Sequence, residues 1–480
     1  MNNSGELKLV KRLSDCTIVI FGITGDLSRR KLIPALYELI CEQPESKLLL
    51  IGAALEVKNI TEILTAARPY IHNLDEQVWQ KFLKIFYYVP TNLKNQLDID
   101  KLAQRILELE QAQQMSGSRL FYCAVAAHFF GQLTINLAKA SLLKRQILGY
   151  KNSPEQVWHR IVFEKPFGAD FNSAQNLNRE ILSVIDESQV FRIDHYLTKE
   201  IVENIAFIRF TNRIFEPLWN HYHIDWVQIV LSEETGLEGG VAYFDDYGTV
   251  RDVVQNHILQ LIALVAMDAP KSLTGEGLYE AKAHILKHLE FVDGVFGQYQ
   301  GYANEPGIKL DSKTETFAAL KLKINEPRWA DVPFYIRTGK RLNKKETKIW
   351  IKFKSTHCLL PKNCPTSANY LVISIYPEGG FKLHLNAKKP GVRDEVIPVS
   401  MNCCYDCLTG PAAAQVYTGL VADVMAGERA VAVHMDEIEA SWQLVDQIMA
   451  HKLPVQVYTP GSFGPPELVD FADKHRFEWV

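Results

Sequence analysis

Thr17-Ile18-Val19-Ile20-Phe21-Gly22-Ile23-Thr24-Gly25-Asp26-Leu27 is the stretch that decides how the first part of this chain folds. Residues 17–21 are β-branched or aromatic and read as a short buried strand. A glycine turn follows, and residues 27–40 carry the apolar spacing of an amphipathic helix. Glycines let a backbone approach a pyrophosphate, and a helix N-terminus offers N–H groups and a positive dipole end. Gly22, Thr24, Gly25, Asp26 and Leu27 are therefore candidate nucleotide-binding positions, with hydroxyl and cationic support from Ser28 and Arg29. The spacing is G-x-x-G, one glycine short of the full dinucleotide fingerprint, and a plain strand-to-helix turn has the same pattern.

Outward from this stretch, residues 47–54, 120–125 and 158–163 are further apolar runs, with helical patterns at 99–111 and 129–143. Near-continuous apolar strands alternating with helices imply a parallel, doubly wound sheet. After about residue 192 the pattern changes. Residues 226–231, 316–324, 348–353, 371–375 and 381–385 read as strands, several separated by turns without helices (Pro377-Glu378-Gly379-Gly380 is the clearest). The predicted fold is α/β plus α+β: a Rossmann-type doubly wound domain over 1–192, then a larger domain over 193–480. Its mainly antiparallel sheet is covered by helices such as 251–267.

The chain has 480 residues, 47% of them hydrophobic, with a net charge of −4. That bulk suffices for two or three cores, and the charge argues against nucleic acid or an anionic membrane as partner. Residues 1–15 lack the apolar core of a signal peptide, and no run reaches the roughly 18 apolar residues of a spanning helix, so a cytoplasmic location is expected. Eight cysteines in such a chain are expected to be reduced thiols. Cys404-Tyr405-Asp406-Cys407 has C-x-x-C spacing beside Cys403, but Cys358, Cys364 and His357 have the wrong spacing for a second half. No metal site is expected.

Chemistry concentrates in two further runs. Arg192-Ile193-Asp194-His195-Tyr196-Leu197-Thr198-Lys199-Glu200 packs an acid, a histidine, a phenol and a lysine together. On a helix, His195 and Lys199 share a face and form a cationic cradle for a small anion such as a sugar phosphate. In Arg251-Asp252-Val253-Val254-Gln255-Asn256-His257, the histidine shares a helix side with Val253, Val254 and Leu261. Desolvation lowers its pKa and a nearby carboxylate raises it, the balance that poises a general base; a satisfied core histidine is the bland alternative. Lys165, in Glu164-Lys165-Pro166-Phe167-Gly168, falls at the carboxyl end of a parallel strand, where open α/β sheets bind ligands, and its bond to Pro166 is a candidate cis peptide.

Together and in order, these runs resemble the glucose-6-phosphate dehydrogenase family. The resemblance covers nearly the whole chain. It extends to Gly297-Gln298-Tyr299, Thr314-Glu315-Thr316-Phe317, the run from Arg328-Trp329 through Arg337-Thr338-Gly339-Lys340-Arg341-Leu342, and Gly461-Ser462-Phe463-Gly464-Pro465. It implies oxidation of D-glucose 6-phosphate at C1 to 6-phospho-D-glucono-1,5-lactone, the first step of the oxidative pentose phosphate pathway, with hydride passing to NADP or NAD. On the matching positions, His257 is the general base and Asp194 the acid that holds it. His195, Tyr196 and Lys199 bind the 6-phosphate. Lys165 lies between substrate and nicotinamide, Glu233, Asp252 and Lys340 contact the sugar, and Lys345 is a further basic contact. A homodimer or homotetramer is implied as well.

Some positions depart from the family. Thr198 replaces a glycine, Leu55 replaces the arginine that meets a 2′-phosphate, and Ala126-Ala127 replace paired prolines, with Phe130 at the following aromatic position. Gly239-Gly240-Val241-Ala242 lose an arginine, and Tyr376 stands for a glutamine. NADP is the expected cofactor, with NAD possible because Leu55 leaves Glu56 to meet a ribose hydroxyl and only Lys58 to meet a phosphate. A dehydrogenase of another sugar phosphate, or a catalytically silent partner protein, are the competing readings.

Overall fold

A computed structural model describes residues 13–147, 156–237, 241–273, 275–355, 368–392, 395–405, 407 and 416–480. The chain divides into two compact units: Met1–Gly168 with Asn172–Thr198 and Ala413–Met435, and Ala169–Phe171 with Lys199–Ala412 and Asp436–Val480. A single cut after residue 192 does not describe this division, because a late segment returns to the first unit.

The first unit is built on six parallel strands: β1 (Cys16–Phe21), β2 (Leu48–Ala54), β3 (Phe86–Pro90), β4 (Arg119–Cys123), β5 (His159–Phe163) and β6 (Val190–Ile193), in the spatial order 6-5-4-1-2-3. A short strand, Ala432–Val433, closes the β6 edge in antiparallel fashion. All six β1 residues are buried, as a central strand covered on both faces requires. Side-chain caps start the covering helices where an oxygen is available: Asn59 accepts from Thr61 N–H, Asp75 from Gln77 and Val78, and Asn95 from Leu97. The returning helix Val416–Ala426 packs on helix Ile33–Glu42 and buries Leu420, Val421, Val424 and Met425. Its last carbonyls are met by a strand arginine: Arg160 donates to Val424 O at 2.7 Å and Met425 O at 2.6 Å while lying 4.2 Å over Trp158. Burial pulls the pKa of that guanidinium down to about 10, still charged at neutral pH and well placed at a helix C-terminus.

The second unit carries a nine-stranded sheet. It comprises β7 (Ile224–Ser232), β8 (Leu289–Tyr299), β9 (Phe317–Ile324), β10 (Phe334–Gly339), β11 (Glu346–Phe353), β12 (Tyr370–Tyr376), β13 (Gly380–Lys388) and β14 (Val396–Cys404), plus Val455–Tyr458. The order is 14-13-12-11-7-10-9-8 and then the last strand, antiparallel throughout except for β7 beside β10 and β8 beside Val455–Tyr458. Aromatic side chains fill two cores on it. Phe244, Tyr299, Tyr302, Phe317 and Tyr458 form one; in the other Tyr335 stacks on Phe477 with centroids 3.7 Å apart. No helix among the described residues is long and apolar enough to cross a membrane.

Candidate active site

In the first unit, the carboxyl ends of β1, β4, β5 and β6 bring the sequence candidates to one edge of the sheet. The strand order reverses between β1 and β4, the place where open α/β sheets bind dinucleotides. Gly22 leaves β1 with φ +80°, and a Cβ there would lie 2.3 Å from Ala124 O at the end of β4. Only glycine permits that approach. Gly25 N–H closes the turn on Gly22 O at 3.0 Å, and Ser28 Oγ donates to the same carbonyl at 2.9 Å. The helix then opens at Asp26, which pairs with Arg29 at 2.5 Å and Arg30 at 2.9 Å. Pro34 has no N–H for an α-bond, and Ile33 N–H instead reaches Ser28 O, giving a π-type turn at Ser28–Leu32. Thr24 Oγ1 donates to Glu56 at 3.0 Å, which draws that carboxylate from the end of β2 toward the glycine turn. Leu55 beside it is 71% exposed. A glycine turn, a helix start and an acid after the second strand fit a dinucleotide.

After β5, Glu164 accepts from the buried Tyr122 hydroxyl at 2.6 Å. Burial raises its pKa above the ordinary carboxylate range, the Tyr122 bond and Lys165 oppose this, and Asp194 adds to the rise. Lys165 is half-buried, and its bond to Pro166 is cis. After β6, residues 194–199 do not form the expected helix. Asp194, only 3% exposed, accepts Tyr196 N–H at 2.8 Å, and Thr198 Oγ1 donates to His195 O at 2.9 Å, so the segment folds as a turn. The helix Glu200–Thr211 starts only afterwards, with Lys199 extended at its N-cap (φ −79°, ψ 124°). His195 and Lys199 therefore do not share a helix face. Thr198 spends its hydroxyl on that turn, and Phe130 is a packing residue 4.7 Å from Phe163.

In the second unit, parallel pairing aligns Ser232 with Gly339, so the next residues, Glu233 and Lys340, emerge together and form an ion pair. They stand 107 positions apart in the chain. Lys340 also lies 5.1 Å over Phe244. Residues 315 and 316 tie this strand end to a helix: Lys340 N–H donates to Thr316 O at 3.0 Å and Thr249 N–H to Glu315 O at 2.9 Å. Glu315 also accepts Val250 N–H at 3.1 Å where Gly248 (φ +72°, ψ 174°) kinks the chain. A Cβ on Gly248 would overlap the Glu315 carboxylate, so glycine is required. Burial pushes Glu315 up to about pH 7, against the opposing Val250 N–H.

Beyond the kink, Val250–Ile258 is a π-helix continuing into Leu259–Ala266, where an uninterrupted α-helix is predicted. The difference bears on the site. An α-helix sets residues five apart at about 140° to one another, whereas i→i+5 bonding brings Asp252 and His257 to within roughly 50°. His257 is 3% exposed, and Val253, Val254 and Leu261 are buried as well. Burial and the Asp252 carboxylate raise the pKa of the Tyr243 phenol, so the helix before the kink faces the same acid. Lys345 is exposed, with Nζ 4.8 Å over the Tyr376 ring that replaces the family glutamine.

Three residues of this arrangement were not singled out by sequence: Glu164, Glu315 and Tyr243. Each sat inside or beside a quoted motif, but a role for it depends on burial. Gly239, Gly240, Cys358, Cys364 and His357 lie outside the described residues. The cysteine expectation needs correction: Cys404 and Cys407 are joined in a disulfide, their Cα atoms 5.3 Å apart and so within bridging range. Cys403 is free.

The chain matches two family models, "Glucose-6-phosphate dehydrogenase, NAD binding domain" over residues 19–204 and "Glucose-6-phosphate dehydrogenase, C-terminal domain" over 206–480. It is 37% identical to the glucose-6-phosphate 1-dehydrogenase of Bacillus subtilis, covering 96% of this chain and 97% of that one. Among solved structures, it superposes on a glucose-6-phosphate dehydrogenase in complex with glucose 6-phosphate with a TM-score of 0.87 and 30% identity, over 98% of this chain and 99% of the other. The enzyme from Mycobacterium avium gives 0.84 and 31%, over 97% and 99%. Two family models that together span nearly all the described residues, and relatives matched end to end, make this chain a member of the glucose-6-phosphate dehydrogenase family.

Proposed function

We propose that this protein oxidises D-glucose 6-phosphate at C1 to 6-phospho-D-glucono-1,5-lactone. The full-length likeness to dehydrogenases of this substrate carries the reading. Hydride passes from C1 to the nicotinamide, and the C1 hydroxyl gives its proton to His257. Asp194 orients that imidazole and stabilises it once protonated. His195, Tyr196 and Lys199 bind the 6-phosphate, binding energy remote from the reacting carbon that holds C1 in place. Glu233, Asp252 and Lys340 take the sugar hydroxyls, the Glu233–Lys340 pair presenting an acceptor and a donor side by side. Lys345 adds a basic contact, and Lys165 lies between sugar and nicotinamide. A silent partner protein would have no use for this set, and that reading is not favoured.

Gly22, Thr24, Gly25, Asp26 and Leu27 hold the dinucleotide pyrophosphate. Either NADP or NAD serves, and Glu56 shifts the preference toward NAD, because a carboxylate accepts from a ribose 2′-hydroxyl and repels a 2′-phosphate. The protein works as a homodimer or homotetramer through the second unit's sheet, whose edge strand β14 exposes Val399 and Met401. The test is purified protein with glucose 6-phosphate and each nucleotide in turn, following reduced nicotinamide. Turnover that disappears in His257→Asn supports the reading; absence of turnover with both nucleotides overturns it.

A further inference from the structure

We propose that His284, His288 and Glu326 form a binding site for a divalent first-row transition metal ion, zinc, on the second unit. The two histidines occupy the last turn of helix Glu276–Lys287 and its C-cap, four residues apart and so on one face. β8 starts at the next residue and pairs antiparallel with β9, Leu289 opposite Ile324. That register returns the chain to the helix end, where Asn325 N–H donates to His288 O at 2.8 Å. Glu326 follows, its backbone held by Trp329 N–H at 3.0 Å over a buried indole. Its carboxylate is thereby presented to both rings.

Geometry and hydrogen bonding then point to a cation. Glu326 Oε1 lies 2.8 Å from His284 Nε2 and 3.3 Å from His288 Nε2. The ring centroids are 4.4 Å apart, and the three ligand atoms fall within 4.8 Å of one another. His288 Nδ1 is 2.7 Å from His284 O. A carbonyl only accepts, so Nδ1 carries the hydrogen, and Nε2 is the ring nitrogen that faces the Glu326 carboxylate. An N–H to a backbone carbonyl on the far side of the ring is also the support that metal-bound histidines use. Bonds of about 2.0–2.2 Å at tetrahedral angles separate ligand atoms by about 3.3–3.6 Å, so the His288–Glu326 spacing already fits, the His284–Glu326 spacing must open by about half an ångström, and the two ring nitrogens, within 4.8 Å of each other, must settle at the same spacing. With side chains 51%, 37% and 23% exposed, these residues can adjust and leave room for water as further ligands. Two imidazoles and a carboxylate suit zinc, nickel or copper over magnesium or calcium.

The experiment uses the full-length chain without an affinity tag, stripped with chelator and dialysed against zinc, with bound metal counted by elemental analysis. One zinc per chain is expected, lost in His288→Ala and His284→Ala. In Glu326→Gln, which keeps the side-chain shape, affinity should fall at least tenfold. Cobalt in place of zinc should give the visible spectrum of nitrogen and oxygen ligation, without the intense sulfur charge-transfer band that Cys403 or a reduced Cys404–Cys407 pair would produce. Retained dehydrogenase activity in the variants shows that they fold. Zinc bound equally well by the His284→Ala/His288→Ala double variant, a thiolate spectrum, or no zinc above background would each overturn the assignment.

Discussion

Glu315→Gln should make the protein more stable at pH 8 and leave it almost unchanged below pH 5. The carboxyl is 4% exposed and burial pushes it from 4.5 up to about 7. Between those values the folded chain keeps a proton that the unfolded chain releases. Its contribution to stability is therefore full below about pH 4.5 and lost as pH rises through about 7. A shift of this size amounts to about 3 kcal/mol. Glutamine retains an oxygen for Val250 N–H but has no charge to desolvate. The stability difference, variant minus parent, should grow from near zero at pH 4.5 to about 3 kcal/mol above pH 7. At roughly 2–4 °C per kcal/mol for a unit of this size, the melting temperatures should separate by several degrees at pH 8. Scanning calorimetry of both proteins at four pH values reads this directly, and the subtraction cancels every other titrating group. A difference that stays flat with pH would refute the account of Glu315 as a charge buried at the helix start.

Three other outcomes follow from the geometry. Gly22→Ala places a methyl against Ala124 O at a positive φ, so KM for either nucleotide should rise tenfold or more while glucose 6-phosphate still quenches or shifts the intrinsic fluorescence; unchanged nucleotide KM would count against the turn as the pyrophosphate site. Leu55→Arg should move the NADP-to-NAD ratio of kcat/KM upward by about tenfold, a charge-assisted hydrogen bond's worth, and combining it with Glu56→Ala should move it further; a ratio that does not respond would remove this loop from cofactor choice. Cys404→Ser opens a loop so short that it contributes at most about 2 kcal/mol, and the melting temperature in non-reducing buffer should drop by a few degrees and become insensitive to dithiothreitol, whereas a parent protein equally insensitive would mean the thiols are not joined in solution.

Much of this fold could be read from residue order, and the exceptions have physical causes. β1, β2, β4 and β5 announce themselves as apolar runs because both faces of a parallel sheet are covered. β3 is a half-exposed edge strand ending in Pro90, and β6 is four residues with an arginine inside, so neither carries that signal. β14 contains Pro398, tolerated because the strand lies on the sheet edge. The site residues were legible by type through their motifs, but their arrangement was not. Glu233 meets Lys340 through a parallel register that no local pattern reveals. The π-turn under His257 begins where Glu315, 65 residues further on, holds Val250 N–H. The helical face on which His195 and Lys199 would have met does not form, because Asp194 and Thr198 offer the backbone local partners in place of a helical ladder.

The return of residues 413–435 to the first unit bears on how the protein is made. A ribosome finishes β6 long before it reaches Val416–Ala426, and until then the nascent sheet has an open edge, an apolar face and a charged Arg160 awaiting its carbonyls. The four side chains that later seal that face, each at most 2% exposed, represent on the order of 6–12 kcal/mol of gross burial, an upper figure because unfolded chains are partly compact. A gene truncated after residue 198 should therefore yield a sticky fragment, and supplying 413–435 as a fusion should rescue it.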